Sequence, residues 1–414
     1  MTSSPPRPSI SPWLIVAVLW AIAALNYLDR LMIASMRDAV KADIAMTDAQ
    51  FGLLTSAFLW VYGVFSPLGG FLADRFGRSR VILGSLLVWS GVTWATGLAR
   101  SFDELLALRA VMGLSEACYI PAALALIADY HPGPTRSLAT GLHMSGIFTG
   151  AALGGVGGYI AEHHGWRDGF TWFGLAGIVY AVPVMFILRD LAPRVPSRAA
   201  ESKPVQFGFV PTLLALGRQP VFGLLVLSFG LVSIANWGIY AWLPTYLREH
   251  FQLGLGTAGL TATGYIQAAA FLGVVLGGLW ADRWSRTQPL ARALVPALGY
   301  CVAGPCLFFG IGSAWLPLAI GALIAYGLGR GFYDANMMPM VRSVADERYS
   351  ATGYGLLNFV GCMAGGVMVY AGGWLKDSQI DLSLVFKASA VGLFINGLIL
   401  FAVRPRPADE TGVR

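Results

Sequence analysis

Charge is what this chain is short of. Only 12% of its 414 residues are Asp, Glu, Lys or Arg, about half the share usual in soluble globular domains. The basic excess gives a formal net charge of +6. It is spread over short loops between apolar runs, so it forms no basic face and no nucleic-acid partner is expected. Cysteine is scarce too. Cys118, Cys301, Cys306 and Cys362 all fall inside apolar runs, without metal-ligand spacing or the pattern of a disulfide framework, so no metal and no cofactor is expected. No nucleophile–base set and no phosphate loop stands out either, which argues against an enzyme. The first eleven residues are rich in Ser and Pro with Arg7 alone. The apolar run that follows is long and has no cleavage site of the small-residue kind, so it is expected to stay as the first helix.

Hydrophobic residues are what the chain has instead, at 56%, with a mean hydropathy of +0.64. Runs of about twenty apolar residues recur, each long enough to cross roughly 30 Å of hydrocarbon as a helix. Twelve are expected, at 12–36, 48–71, 79–98, 102–128, 137–161, 170–188, 221–247, 257–281, 291–311, 314–340, 351–375 and 382–403. The fold class is therefore an all-α membrane protein of twelve transmembrane helices in two six-helix bundles. Its expected parts are a tail at 1–11, a bundle at 12–188, a linker at 189–220, a second bundle at 221–403 and a tail at 404–414. Of the 28 Lys and Arg residues, eighteen fall on one side of this layout, seven on the other and three inside helices. The positive-inside rule then puts both termini in the cytoplasm.

A repeat spans the chain. Residues 69–80 read Gly-Gly-Phe-Leu-Ala-Asp-Arg-Phe-Gly-Arg-Ser-Arg, and residues 277–286 read Gly-Gly-Leu-Trp-Ala-Asp-Arg-Trp-Ser-Arg, an offset of 208. Ala139-Thr140-Gly141 returns as Ala351-Thr352-Gly353, and Gly113-Leu114 as Gly327-Leu328, at offsets of 212 and 214. Repeats of this kind, six helices each, are related by a two-fold axis along the membrane normal. Gly69, Gly70 and Gly77 are expected to permit a tight turn. Asp74 is placed to accept hydrogen bonds at a helix N-terminus, and Arg75, Arg78 and Arg80 to hold the turn on the inner side. The second copy, with Asp282 and Arg283, has Ser285 where the first has Gly77 and is expected to be looser.

These turns resemble the signature loops of the major facilitator superfamily, and the six-plus-six layout extends the likeness to the whole chain. The resemblance implies two bundles that rock about a central cavity, with Gly70, Asp74, Arg75, Gly77, Arg78, Asp282 and Arg283 bracing the cytoplasmic contact. Asn26-Tyr27-Leu28-Asp29-Arg30, with Arg109 and Glu116, is similar to both the organic-anion (anion:cation) symporters and the Spinster-like lipid carriers. There the charged positions imply proton coupling and gating. The run from Gly329 to Asn336 resembles carriers of acidic sugars, whereas Ile127-Ala128-Asp129-Tyr130 resembles the Spinster phrase. The branch stays open. Helix five has Gly150-Ala151 where drug:proton antiporters of the superfamily place Gly-Pro.

An ionisable group within the hydrocarbon costs several kcal/mol unless it is paired or lines a wet cavity. Six sit away from the span ends: Asp29, Arg30, Arg109, Glu116, Arg330 and Asp334. Their charges cancel, which suits a paired network and equally suits salt bridges that only lock helices together. Glu116 lies about fourteen residues, roughly 21 Å, into its span. The repeat makes it the counterpart of Arg330, so the two are expected on opposite walls of one cavity. Asp29 and Arg30 are adjacent, so one should face the cavity and the other a neighbouring helix. On this reading Arg330 anchors a substrate carboxylate, Glu116 and Asp29 are the proton carriers, and Arg109 tunes Glu116 and helps close the outer gate. Asp334 shares a helix face with Arg330. Arg30, Tyr27, Tyr119, Asn236, Tyr240, Tyr333, Asn336 and Asn358 are candidates for the binding wall, with His143, Trp237 and Gln267 beside them.

The function expected is proton-coupled symport of a small carboxylated solute, a sugar acid or related organic anion, by a monomer in a bacterial inner membrane. The partners would be that anion, protons and the lipid bilayer. The alternative is a Spinster-like carrier of lysolipids or drug-like amphipaths, coupled to protons.

Overall fold

The computed structural model describes residues 11–131, 135–190, 218–344 and 350–403, without the side chains of residues 70, 74, 136, 137 and 350–352. The expected tails, and the linker from 191 to 217, lie outside the described residues. Fifteen helices follow in order: α1 (Pro12–Ser35), α2 (Arg37–Asp43), α3 (Asp48–Phe76), α4 (Arg78–Thr96), α5 (Phe102–Glu116), α6 (Tyr119–Tyr130), α7 (Arg136–Leu153), α8 (Val156–His163), α9 (Trp166–Ile187), α10 (Pro220–Phe251), α11 (Leu255–Trp284), α12 (Ala291–Ile311), α13 (Leu316–Val344), α14 (Ser350–Asp377) and α15 (Leu382–Ala402). No strand occurs among the described residues.

These helices make twelve membrane crossings, because α5 with α6 and α7 with α8 each form one broken span and α2 is a short turn outside. Eleven crossings are long and apolar enough to span a bilayer by composition alone. The twelfth, α4, carries Arg78 and Arg80 with several Ser, Thr, Gly and Trp residues, and it is held by packing on α5, α6 and α9.

Local chemistry sets the ends. Pro12 opens α1, where a missing N–H costs nothing. Thr47 and Gln50 form a capping box on α3. Ser101 caps α5 and Asp381 caps α15. The α5/α6 break is a tighter turn in which Cys118 N–H bonds to the carbonyl of Ser115, so Glu116 is the last residue before a mid-span irregularity.

The signature segment differs from its expectation. Gly69 and Gly70 lie inside α3, not in a turn. A Cβ at Gly69 would stand 2.6 Å from the carbonyl of Ala117, so this glycine lets α3 press onto the α5/α6 break. The turn is Gly77 alone, at φ 93°, a backbone that favours glycine. The acid that accepts from an N-terminal amide of α4 is Asp190, bonded to Ser79 N–H at 2.9 Å. The side chain of Asp74 lies outside the described atoms. Arg78 donates to the carbonyl of Ala125 at 2.9 Å and pairs with Asp129, while Arg75 is exposed beside Phe76. In the second copy α11 and α12 are joined by residues 285–290. There Asp282 accepts from Arg292 at 3.2 Å and Arg283 is exposed.

The two bundles meet along α3 with α14, and along α7 and α8 with α11. Both seams close at the end where α3 and α11 begin. Ser56 donates to the carbonyl of Gly366 at 2.7 Å, and Thr263 to that of Ala152 at 2.8 Å. Small residues make this approach possible: a Cβ at Gly373 would stand 2.2 Å from the carbonyl of Asp48, and one at Gly155 2.4 Å from that of Gly259. Each seam ends in a helix cap supplied by the opposite bundle. Asp377 accepts from the amides of Asp48 and Ala49, both at 2.8 Å, at the start of α3. Glu162 accepts from the amide of Gly256 at 3.0 Å at the start of α11. The two caps are counterparts under the repeat. Arg248 with Asp38, and Arg37 with Glu249 at 3.9 Å, add ion pairs across the same end.

A carboxylate at a helix N-terminus contributes roughly 0.5–2 kcal/mol. The double variant Asp377→Asn with Glu162→Gln is therefore expected to loosen this end. In a background without the four native cysteines, maleimide labelling of Ser56→Cys from that side should accelerate several-fold. An unchanged rate would mean that the caps do not hold the seam.

Candidate functional site

Between the bundles, beyond the closed end, lies a cavity of about 160 Å³. The first bundle contributes Tyr27, Arg30 and Tyr62; the second contributes Ser233, Asn236, Trp237, Arg330, Tyr333, Asp334, Tyr354, Asn358 and Cys362, with Phe229, Val232 and Gly361.

Arg30 comes from the last third of α1. Its Nε and Nη2 donate to Oε2 of Glu116 at 3.1 and 2.7 Å, and Nη2 also donates to Asn26 at 3.3 Å. The rings of Tyr27, Phe58 and Tyr62 surround the guanidinium at 4.5, 4.8 and 4.7 Å, a favourable setting for a cation away from water. Glu116 is fully buried behind it. The expectation that Glu116 and Arg330 face each other across the cavity is thus corrected, since Arg30 presents at the wall and Glu116 stands in the layer behind.

Asp29 turns the other way, toward α4, where Thr93 donates to its Oδ2 at 3.2 Å. Among the described residues its Oδ1 has no hydrogen-bond partner, and neither has Oε1 of Glu116. Arg109 is buried in the same first-bundle cluster, within electrostatic reach of both acids, with its guanidinium 5.7 Å from the ring of Phe170. It is not among the cavity-lining residues, nor among the ion pairs and caps described at the closed end.

The second bundle repeats the design with other groups. An offset of 210 residues matches Asn26-Tyr27 on α1 to Asn236-Trp237 on α10, and Arg30 to Tyr240. Where Arg30 on α1 meets Glu116 on the fourth span, Tyr240 on α10 meets Arg330 on α13, the fourth span of its half. The polarity is reversed, with the cation now on the fourth span. Tyr240 also accepts from Nε2 of Gln267 at 2.5 Å. Arg330 lies 3.4 Å from Asp334 through Nε, and 5.9 Å from the ring of Phe148. Its Nη2 has no partner among the described residues.

Of the remaining expected wall residues, Tyr27, Asn236, Tyr333 and Asn358 line the cavity, and Asn236 accepts from Tyr326 at 3.2 Å. Tyr240 reaches it only through Arg330. Tyr119 does not line it: its hydroxyl donates to the carbonyl of Leu19 at 2.6 Å and meets His143 at 3.0 Å inside the first bundle. Asn336 donates to the carbonyl of Phe332 at 2.9 Å and packs toward Gly277. Sequence reasoning passed over Tyr62 and Tyr354. Both sit in glycine-rich apolar spans where nothing marks the cavity-facing side; an aromatic next to a glycine, as in Tyr62-Gly63, was the available sign.

Twelve crossings in two pseudo-symmetric bundles around a charged mid-span cavity define a membrane carrier of solutes, not an enzyme. The chain belongs to the Major Facilitator Superfamily, whose profile matches residues 19–369. It is 27% identical over 406 residues to the probable sulfoacetate transporter of Cupriavidus necator, covering 95% of this chain and 94% of that one. To the probable galactarate/D-glucarate transporter of Bacillus subtilis it is 25% identical over 422 residues, covering 94% and 91%. In fold it is similar to a bacterial homologue of the human lysosomal transporter Spinster, solved in an inward-facing and unoccupied conformation, with a TM-score of 0.78, 20% identity and 96% of each chain covered.

Removing one partner of a buried ion pair costs about 3–5 kcal/mol, whereas replacing both by apolar groups is often neutral. Arg30→Met is therefore expected to lower the thermal unfolding midpoint in detergent clearly, and Arg30→Met with Glu116→Leu to recover most of it. Additive losses would show that the two groups do not act as a pair.

Proposed function

We propose that this protein is a proton-coupled symporter that takes up a small carboxylated organic solute, a sugar acid or related organic anion, by alternating access. The observation that carries the proposal is the unequal state of the two guanidinium groups at one cavity. Arg30 is neutralised by Glu116 at 2.7 Å, while Arg330 is held by the neutral Tyr240 and only loosely by Asp334.

An anion entering a cavity whose charges cancel adds one uncompensated negative charge in a poorly solvated place. Protonation of Glu116 offsets it and releases Arg30 to join Arg330 on the solute. Loss of that proton lets Glu116 reclaim Arg30 and weakens the grip on the anion. Asp29, with one oxygen unbonded beside Arg109, is the second proton carrier. Tyr27, Asn236, Tyr333 and Asn358 complete the binding wall, and Tyr240 positions Arg330. By the positive-inside rule the closed end faces outside and both termini face the cytoplasm, in a bacterial inner membrane, and the carrier acts as a monomer. The named substrates of the two relatives, sulfoacetate and galactarate or glucarate, are small organic anions of this class.

Proteoliposomes with an imposed proton gradient test it. Uphill uptake of galactarate or sulfoacetate should follow the gradient. Glu116→Gln should keep counterflow exchange and lose gradient-driven accumulation, and Arg330→Lys, which cannot present the two-pronged fork, should weaken binding by roughly tenfold or more. Accumulation that survives Glu116→Gln rules out its coupling role. Transport of lysolipid in place of these anions would favour the amphipath reading, with the bundles parting toward lipid.

A further inference from the structure

An anion carrier has good reason to keep carboxylates off its binding wall, since a fixed negative charge repels the solute. Yet α13 places one there. Asp334 is the only acid lining the cavity among the described residues. It is 36% exposed, whereas Glu116 is fully buried. Its Oδ2 lies 3.4 Å from Arg330 Nε, one helical turn away, and its Oδ1 has no partner among the described residues. The groups around it are polar and under-used: among the described residues Asn358 and Ser233 line the same wall without a hydrogen bond of their own, and Asn236 spends only its oxygen, on Tyr326. A carboxylate is an acceptor only, so what it can take from a solute is a donated proton.

Resting on the proposal of organic-anion transport, we infer that Arg330 and Asp334 form a two-part subsite for a hydroxylated carboxylate. Arg330 takes the solute's carboxylate, and Asp334 Oδ1 accepts from a hydroxyl next to it, so that Asp334 is the residue that separates hydroxy acids from plain carboxylic acids. The adjacency matters chemically. In a hydroxy acid the donor sits one carbon from the carboxylate, and on the protein the acceptor sits beside the guanidinium. A plain carboxylate has nothing to give Asp334, leaving its charge near the solute's own without compensation, which works against binding. A site built around a solute hydroxyl discriminates strongly against the analogue that lacks it, because its own polar group is left unsatisfied. Wall aromatics such as Tyr27 and Trp237 suit the C–H face of a carbohydrate chain.

Galactarate and adipate isolate this effect, since both are six-carbon dicarboxylates and they differ only in four hydroxyls. Binding is measured by calorimetry on purified full-length protein, with the thermal midpoint and intrinsic tryptophan fluorescence reporting that each variant is folded. Wild type is expected to bind galactarate at least about tenfold more tightly than adipate. Asp334→Ala should bring the two within about threefold, by weakening galactarate and leaving adipate unchanged or improved. Asp334→Asn, which keeps one acceptor oxygen without the charge, should fall between and guards against a packing defect in the alanine variant. A preference unchanged in both folded variants, an equal loss for both ligands, or tighter binding of 2-aminoadipate than of galactarate would overturn the subsite while leaving organic-anion transport standing. Failure of the wild type to bind either acid, with lysolipid bound instead, would overturn the transport proposal and the subsite together.

Discussion

The cost of ionised groups in hydrocarbon governs this structure. Three arginines and three acids lie well inside the spans, and each is answered locally. Arg30 meets Glu116 and three aromatic rings; Arg330 meets Tyr240 and Asp334; Arg109 lies in reach of Asp29 and Glu116. Exact compensation would make an inert brace. What makes this arrangement suited to transport is that compensation is strong in one bundle and weak in the other.

That asymmetry grows out of a symmetric plan. The same positions on the first and fourth spans of each half hold a charged pair in one case and a cation with a phenol in the other. Duplication supplied two equivalent pairs of positions near the axis, and divergence put the guanidinium on the first span of one pair and on the fourth span of the other, with a fully buried carboxylate as direct partner only in the first. A phenol holds Arg330 in orientation without cancelling its charge. A carboxylate cancels the charge of Arg30 and, on taking up a proton, stops doing so. On the proposed mechanism, one scaffold thus provides a loosely paired cation and a tightly paired one.

The closed end follows the same economy. Glycines on α8 and α14 bring backbones of opposite bundles together, and each seam finishes with a carboxylate from one bundle on the first turn of a helix in the other. Such caps are short-range and cooperative with the seam, since they exist only when the helices are in register. They leave the central cavity free of the work of holding the halves together.

Composition and pattern alone determined much here. The apolar runs are dictated by bilayer thickness, and the offsets near 210 mark the duplication. Gly77 is one of three glycines the pattern marks for the α3–α4 turn, and the six intramembrane charges announce themselves by their rarity. Tertiary packing decided the facing of each group. In a span that is apolar all round, hydrophobic periodicity does not say which side meets water, so adjacency separates Asp29 from Arg30 but only three dimensions decide that Arg30 is the one at the cavity. The same holds for Glu116, set behind Arg30, for the bond from Tyr240 to Arg330, and for Gly69, which serves a helix crossing instead of a turn. Rotation and tilt are fixed by what each helix touches, and those contacts join residues 48 to 90 positions apart.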